Sequence, residues 1–457
     1  MIMRILWLSN FMLPMAAAHL GLPATNKEGW LSGLASAVLA LRAKGGTPDS
    51  RIELAAAFPV AKERDGYAET IEGLSCYGFY EDMQHPELYD RGLEERLKRI
   101  LDDFQPDLVH CFGTEYPHTL AMCRTFHDKN RILIGIQGLC AVYADAYMAD
   151  MPETVVNSAT FRDRVKRDSL KEQQEKYRKR GALEQEAISL SGNITGRTAW
   201  DKYYAEKWNP AGRYFHMNET LRETFYRDQW SAEMAEPYTI FLSQGNYPIK
   251  GLHYMLLALP KIREKYPKVR VSVAGDSVTA YKTLKDRLKL SSYGRYLRQL
   301  MTENHLEDCV EFLGSLDAEA MKAQYLRSSL FVCCSSIENS PNSLGEAMLL
   351  GMPCVSADVG GVSSIFCGGE DGILYPGYKT AENTFDMVKN EGKTEKERLL
   401  SNAEALADAV LRMWDDPDRQ SFYCENARIH AKLTHDREKN FRRMTEIYAE
   451  IIRGSGS

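Results

Sequence analysis

The stretch Phe331-Val-Cys-Cys-Ser-Ser-Ile-Glu-Asn-Ser-Pro-Asn-Ser-Leu-Gly-Glu-Ala-Met-Leu-Leu-Gly-Met-Pro-Cys-Val-Ser-Ala357 reads as strand, loop, helix, strand. Leu330 to Cys334 is a short apolar run suited to a buried parallel strand. Ser340, Asn342 and Ser343 offer capping side chains, Pro341 stiffens the entry, and Leu344 to Leu350 carries helix formers. Gly351 and Pro353 stop the helix, and Cys354 to Ala357 begins the next strand.

Glu338 and Glu346 stand eight positions apart around the expected helix start. The free N–H groups and partial positive charge of a helix N-terminus suit a phosphate. Carboxylates contacting that phosphate would repel it. Accepting hydrogen bonds from sugar hydroxyls on either side of it suits them, and a nucleotide-sugar has that shape.

Working outward, a chain of 457 residues, 44% hydrophobic, can bury two ordinary cores. Its net charge of −6 argues against nucleic acid as a partner. The ten cysteines are scattered, with no C-x-x-C and no His/Cys ligand spacing. Neither a disulfide framework nor a zinc site is indicated, and a reducing cytoplasmic compartment fits. Met1 to Ser9 is too short for the apolar core of a signal peptide. No apolar run approaches the ~20 residues of a membrane span.

Arg4 to Ser9, Ile52 to Phe58, Pro106 to Phe112 and Ile132 to Ile136 read as strands, with helices over Trp30 to Arg42 and Arg91 to Phe104. A second series follows from Tyr238: Val269 to Ala274, Val310 to Gly314, the opening stretch, and Gly372 to Tyr375. Such alternation implies α/β architecture, two Rossmann-like doubly wound domains facing a cleft, with ligands beyond the carboxyl ends of the strands. The expected boundaries are 1–215 for the N-terminal domain, 216–436 for the C-terminal one, and a helix at 437–453 returning to the first. Residues 161–180 are helical in character and rich in Arg and Lys, with acidic residues interleaved. A solvated face explains them at least as well as peripheral contact with an anionic membrane.

Lys250 falls in the loop after the second domain's first strand, directly before Gly251 and a helix. A lysine there is usually only solvated. Beside Glu338 and Glu346, at strand ends of one domain, it reads as a cation for a leaving diphosphate. At about 4 Å and an effective dielectric of about 20 the attraction is on the order of 4 kcal/mol. Its catalytic share grows as charge builds on the leaving group. His118, in a loop at a strand's carboxyl end, is a candidate site residue, whereas His110, within the strand, reads as structural.

These residues together resemble the retaining glycosyltransferases of family 4, which have the GT-B fold. The motifs are Lys250-Gly251 after the strand and Glu-x7-Glu in Glu338-Asn-Ser-Pro-Asn-Ser-Leu-Gly-Glu346. The resemblance implies that Glu346 holds ribose hydroxyls and Glu338 the donor hexose. It places the diphosphate on the amides around Asn342, Ser343 and Leu344, neutralised by Lys250. Gly29 fits the family's first-loop glycine near the phosphate, and His118 its histidine facing the donor sugar. The N-terminal domain would bind the acceptor, and the C-terminal domain the nucleotide-sugar.

The chain departs from the family in two places. Six positions before Lys250, where an arginine is common, stands Gln244, and the first loop has Glu28-Gly29 rather than two glycines. Losing one phosphate cation costs on the order of 3 kcal/mol unless another replaces it. Arg197 and Arg222 are the candidate replacements. The implied reaction moves a hexose from a nucleotide-diphosphate sugar to an acceptor hydroxyl with retention. UDP-sugar is preferred as donor and GDP-sugar is the second choice. Glycan, lipid-linked or small-molecule acceptors fit, in surface glycan or glycoconjugate synthesis at the cytoplasmic side of the inner membrane. With no Asp-x-Asp at a donor loop, no metal or other obligatory cofactor is expected. The alternatives are an epimerase or phosphorylase of the same architecture, and a non-catalytic glycan-binding partner.

Overall fold

The computed structural model describes residues 2–22, 31, 33–35, 38, 52–378 and 394–454. They form two compact units. Unit 1 comprises Met1–Val142, Lys176–Glu223 and His435–Ser457, and unit 2 comprises Tyr143–Glu175 and Thr224–Thr434. The expected 1–215 domain is therefore interrupted. Residues 143–175 belong with unit 2, and unit 1 runs on to Glu223.

Unit 1 contains β1 (Met3–Ser9), β2 (Ile52–Val60), β3 (Ala68–Ile71), β4 (Leu74–Tyr80), β5 (Leu108–Phe112), β6 (Ile132–Gly135), β7 (Asn193–Gly196) and β8 (Arg213–His216). They lie in the order β3-β4-β2-β1-β5-β6-β7-β8. All neighbours are parallel except the β3–β4 pair at one edge. β1 and β5 are almost wholly buried, as strands covered on both faces must be. The closing helix Arg437–Gly454 places Met444, Ile447, Tyr448 and Ile451 at helical spacing in the same core as Ile5, Trp7 and Leu54. Tyr448 ties it down: its hydroxyl accepts from Trp7 Nε1 at 2.9 Å and lies 2.7 Å from His110 Nδ1. Burial pushes the His110 pKa down to about 3, so the ring stays neutral, and His110 is structural as read.

Unit 2 contains β9 (Glu236–Leu242), β10 (Arg270–Val273), β11 (Val310–Phe312), β12 (Ser328–Cys333), β13 (Cys354–Asp358) and β14 (Ile373–Pro376). Its order is β11-β10-β9-β12-β13-β14, all parallel. The sequence steps outward from β9 to β11, then crosses over to β12. The switch between β9 and β12 is where a doubly wound sheet opens a crevice for ligands.

Residues 143–175 are bound into unit 2 by buried polar contacts. The Asp150 carboxylate accepts from Arg398 Nε at 2.9 Å, Asn402 at 3.0 Å and the Tyr254 hydroxyl at 3.2 Å. His253 Nε2 lies 2.8 Å from the Ala149 carbonyl, and Asp163 accepts the Ser292 N–H at 2.9 Å. The single helix expected over 161–180 is two, Phe161–Lys166 and Leu170–Leu190, separated at Arg167, whose φ is +49°. Arg162 pairs with Asp163 and Asp168, and the Arg180 guanidinium donates to the Glu115 carbonyl and lies over the Tyr177 ring. These two cations are engaged within the protein. No helix among the described residues is long and apolar enough to cross a membrane.

Candidate functional site

Sequence chemistry brings the loops after β9 and β12 together. After β9 the chain makes a short turn, Pro248–Lys250, and Gly251 then opens the helix Leu252–Lys265. Gly251 has φ +71°, and a Cβ there would sit 1.8 Å from the Cys334 carbonyl oxygen. Only glycine permits that approach. The Ser336 N–H donates to the Ile249 carbonyl at 2.8 Å, and the Cys334 thiol to the Gly251 carbonyl at 3.3 Å.

This contact puts Lys250 Nζ 2.6 Å from Glu338 Oε1, an oxygen that also accepts the Ser335 hydroxyl at 2.7 Å. Burial disfavours the Lys250 ammonium, but the adjacent Glu338 carboxylate, with a lesser contribution from the Tyr247 side chain, outweighs it and raises the pKa well above the usual lysine value. The lysine is charged. Its side chain is 20% exposed and that of Glu338 10%. A third loop, after β13, fixes the glutamate's backbone. The Gly361 N–H donates to the Glu338 carbonyl at 3.0 Å, and a Cβ on Gly360 would meet that oxygen at 1.9 Å. Sequence reading missed Ser335 and the Gly360-Gly361 pair, although glycines directly after a strand are a readable sign of close backbone approach.

The helix Asn342–Leu350 follows, with Glu346 buried within it. Its N-cap is Pro341, and no side chain caps it, so Ser340 does not play the expected part. The Leu344 N–H donates to the Pro341 carbonyl at 3.0 Å, which removes it from the expected anion cradle. The amides of Asn342 and Ser343, as the first two helical residues, have no acceptor inside the helix. Asn342 also holds a buried side-chain oxygen without a hydrogen-bond partner among the described residues. Beside the Lys250 turn a pocket of about 440 Å³ is lined by Asn246, Tyr247, Ser277, Ser291 and Arg162, among others.

Residues 223–406 match the family model of the glycosyl transferases group 1, a span that takes in β9 to β14. Sucrose-phosphate synthase from Thermosynechococcus elongatus superposes with a TM-score of 0.67 at 16% identity, covering 99% of this chain and 100% of that one. HepE from Anabaena in complex with UDP-glucose gives 0.59 at 15% identity, covering 97% and 99%. The fold is GT-B. The curated relative spore coat protein SA of Bacillus subtilis (strain 168) is 27% identical over 164 residues, which are 34% of this chain and 41% of that protein. The chain thus spans less than half the length of that relative.

On this GT-B chain the remaining expected site residues fall in unit 1 or outside the description. Gly29 and Glu28 lie outside the described residues, as does most of the 30–42 helix. Arg197 is engaged within unit 1. Directly after β7, its guanidinium pairs with Glu219 and donates to the carbonyls of Ile136 at 3.2 Å and Gln137 at 3.1 Å. The side chain is 5% exposed, and these contacts hold it within unit 1. Arg222 is partly buried in the stretch after β8.

His118 is likewise engaged within unit 1. Nδ1 lies 2.6 Å from Glu81 Oε2 and Nε2 3.1 Å from Asn10 Oδ1, while its backbone N–H donates to Glu81 Oε1. The side chain is fully buried. Both ring nitrogens are engaged inside unit 1.

Proposed function

We propose that this chain is a retaining glycosyltransferase that transfers a hexose from a nucleotide-diphosphate sugar, with UDP as the nucleotide, to an acceptor hydroxyl. The observation that carries the reading is the Lys250–Glu338 pair at 2.6 Å, assembled at the switch point of unit 2 from residues 88 positions apart. The match of residues 223–406 to the group 1 model supports it, and the UDP-glucose held by the structurally similar HepE supports the choice of donor.

In this reading Lys250 leaves Glu338 enough to meet the diphosphate as charge builds on it. Glu338 accepts from the hexose hydroxyls and Glu346 from the ribose. The Asn342 and Ser343 amides take phosphate oxygens, and the unpartnered Asn342 oxygen takes a ligand hydroxyl. Unit 2 is the donor-binding part and unit 1 the acceptor-binding part. His118 is a positioning residue that orients Asn10 and Glu81.

Incubation with UDP-, GDP- and ADP-sugars under thermal-shift readout should single out a UDP-sugar. NMR of the product anomer should show retention, and an inverted product would overturn the assignment. Lys250→Ala should lower turnover about 100-fold with the fold unchanged.

A further inference from the structure

Away from the Lys250 turn, unit 2 gathers three side chains of metal-ligating chemistry. Cys367, Asp371 and His430 each offer a ligand atom, and these atoms all lie within 4.8 Å of one another. We propose that they form a binding site for a divalent transition ion of the zinc class, joining the 367–372 loop to the helix Pro417–Thr434.

The loop is built before any ion arrives. Cys367-Gly-Gly-Glu-Asp-Gly372 folds back on itself, with the Asp371 N–H donating to the Cys367 carbonyl at 2.9 Å and the Cys367 N–H to Asp371 Oδ2 at 2.7 Å. The helix grips it at three points. Arg419 donates to the Gly369 carbonyl at 2.8 Å, Asn426 to the Glu370 carbonyl at 3.4 Å, and His430 Nδ1 lies 2.6 Å from Asp371 Oδ2. A His–Asp tie alone would account for the last contact. It does not account for an exposed free thiol turned toward the same two groups.

Thiolate, imidazole and carboxylate together are a zinc-type donor set rather than a magnesium or calcium one. Bonds of about 2.0–2.3 Å in a tetrahedron set ligand atoms roughly 3.3–3.7 Å apart, so closure needs a shift of about an ångström, within reach of an exposed side chain. Three protein ligands leave a fourth position for water or for Glu370, whose carboxylate acts electrostatically on both Cys367 and His430. Binding would release the thiol proton to solvent, along with the imidazolium proton when His430 is charged. Two residues before His430, Arg428 donates to the Leu349 carbonyl at 2.7 Å, at the end of the helix that carries Glu346. The ion would therefore steady the helix that supports the donor loop.

Cobalt titration of the chelator-treated full chain tests the site. Near-stoichiometric binding with a thiolate-to-cobalt charge-transfer band is expected, together with a zinc-dependent rise in melting temperature. Cys367→Ser should abolish the band and weaken binding by about 100-fold or more, and His430→Gln by at least about 10-fold. Cys424→Ser, on the same helix but outside the set, should leave the band in place. The proposal fails if no band forms, or if the band survives Cys367→Ser or disappears in Cys424→Ser.

Discussion

Each sheet has a central switch point where the chain crosses from one side of its first strand to the other, and the two are equipped differently. In unit 1, between β1 and β5, Asn10, Glu81, Glu115 and His118 hydrogen-bond to one another, and the imidazole is fully buried. In unit 2, between β9 and β12, Lys250 and Glu338 pair but keep 20% and 10% side-chain exposure beside a helix N-terminus without a side-chain cap. Polar residues at a switch point mark a ligand site only where they retain capacity to bind something else. The unit 1 cluster is closed to solvent, whereas the unit 2 cluster keeps the solvent access that the proposed donor role requires.

The strongest way to break this distinction is to remove a cation of each kind. Arg197→Met leaves Glu219 4% exposed without its guanidinium. Stability should fall by about 3–5 kcal/mol in urea unfolding, because an uncompensated buried charge remains. Lys250→Ala opens a pair that solvent already reaches. Its stability cost should be smaller, about 1–2 kcal/mol, because the Ser335 hydroxyl still donates to Glu338, while its activity loss is the 100-fold named above. Equal destabilisation by both substitutions would erase the contrast. Between these two lies His118→Ala, which strips partners from Glu81 and Asn10. A loss of about 2 kcal/mol in stability is expected, read from the shift of the unfolding midpoint.

The two doubly wound sheets were legible in the sequence because strands buried on both faces are continuous apolar runs, as in Leu108–Phe112 and Phe331–Cys334. That Lys250-Gly251 and Glu338 fall in the loops following such runs, after β9 and β12, was legible for a related reason. Partners across long separations were not legible. Nothing near Arg197 signals that Glu219 will take it, and nothing near Cys367 points to His430. Chain continuity places residues 143–175 with the first domain, but it is a weak guide where anchors such as Asp150 reach 248 positions ahead to Arg398. The antiparallel β3 and the break at Arg167 have a similar cause, since four exposed or edge residues and one left-handed residue leave little periodicity to read.

The smallest expected effect tests that reassignment. Asp163 accepts the N–H groups of Thr160 at 3.0 Å and Ser292 at 2.9 Å, and the second of these holds residues 161–175 to the body of unit 2. Burial raises its pKa, but the two backbone hydrogen bonds and the Arg162 guanidinium outweigh this and leave it below the ordinary 3.8. A folded-state value below the unfolded one means that the carboxylate's contribution is fully present above the unfolded pKa. It is lost as the pH falls through the folded one. Asp163→Asn keeps an acceptor but not its charge, so about 1 kcal/mol should be lost at pH 7. The gap from the parent should narrow on acidification below about pH 3.8, the ordinary value. Unfolding midpoints across that window decide the matter. A gap independent of pH would mean that the charge of Asp163 does not anchor the segment, and would leave its membership of unit 2 to Asp150 and Ala149.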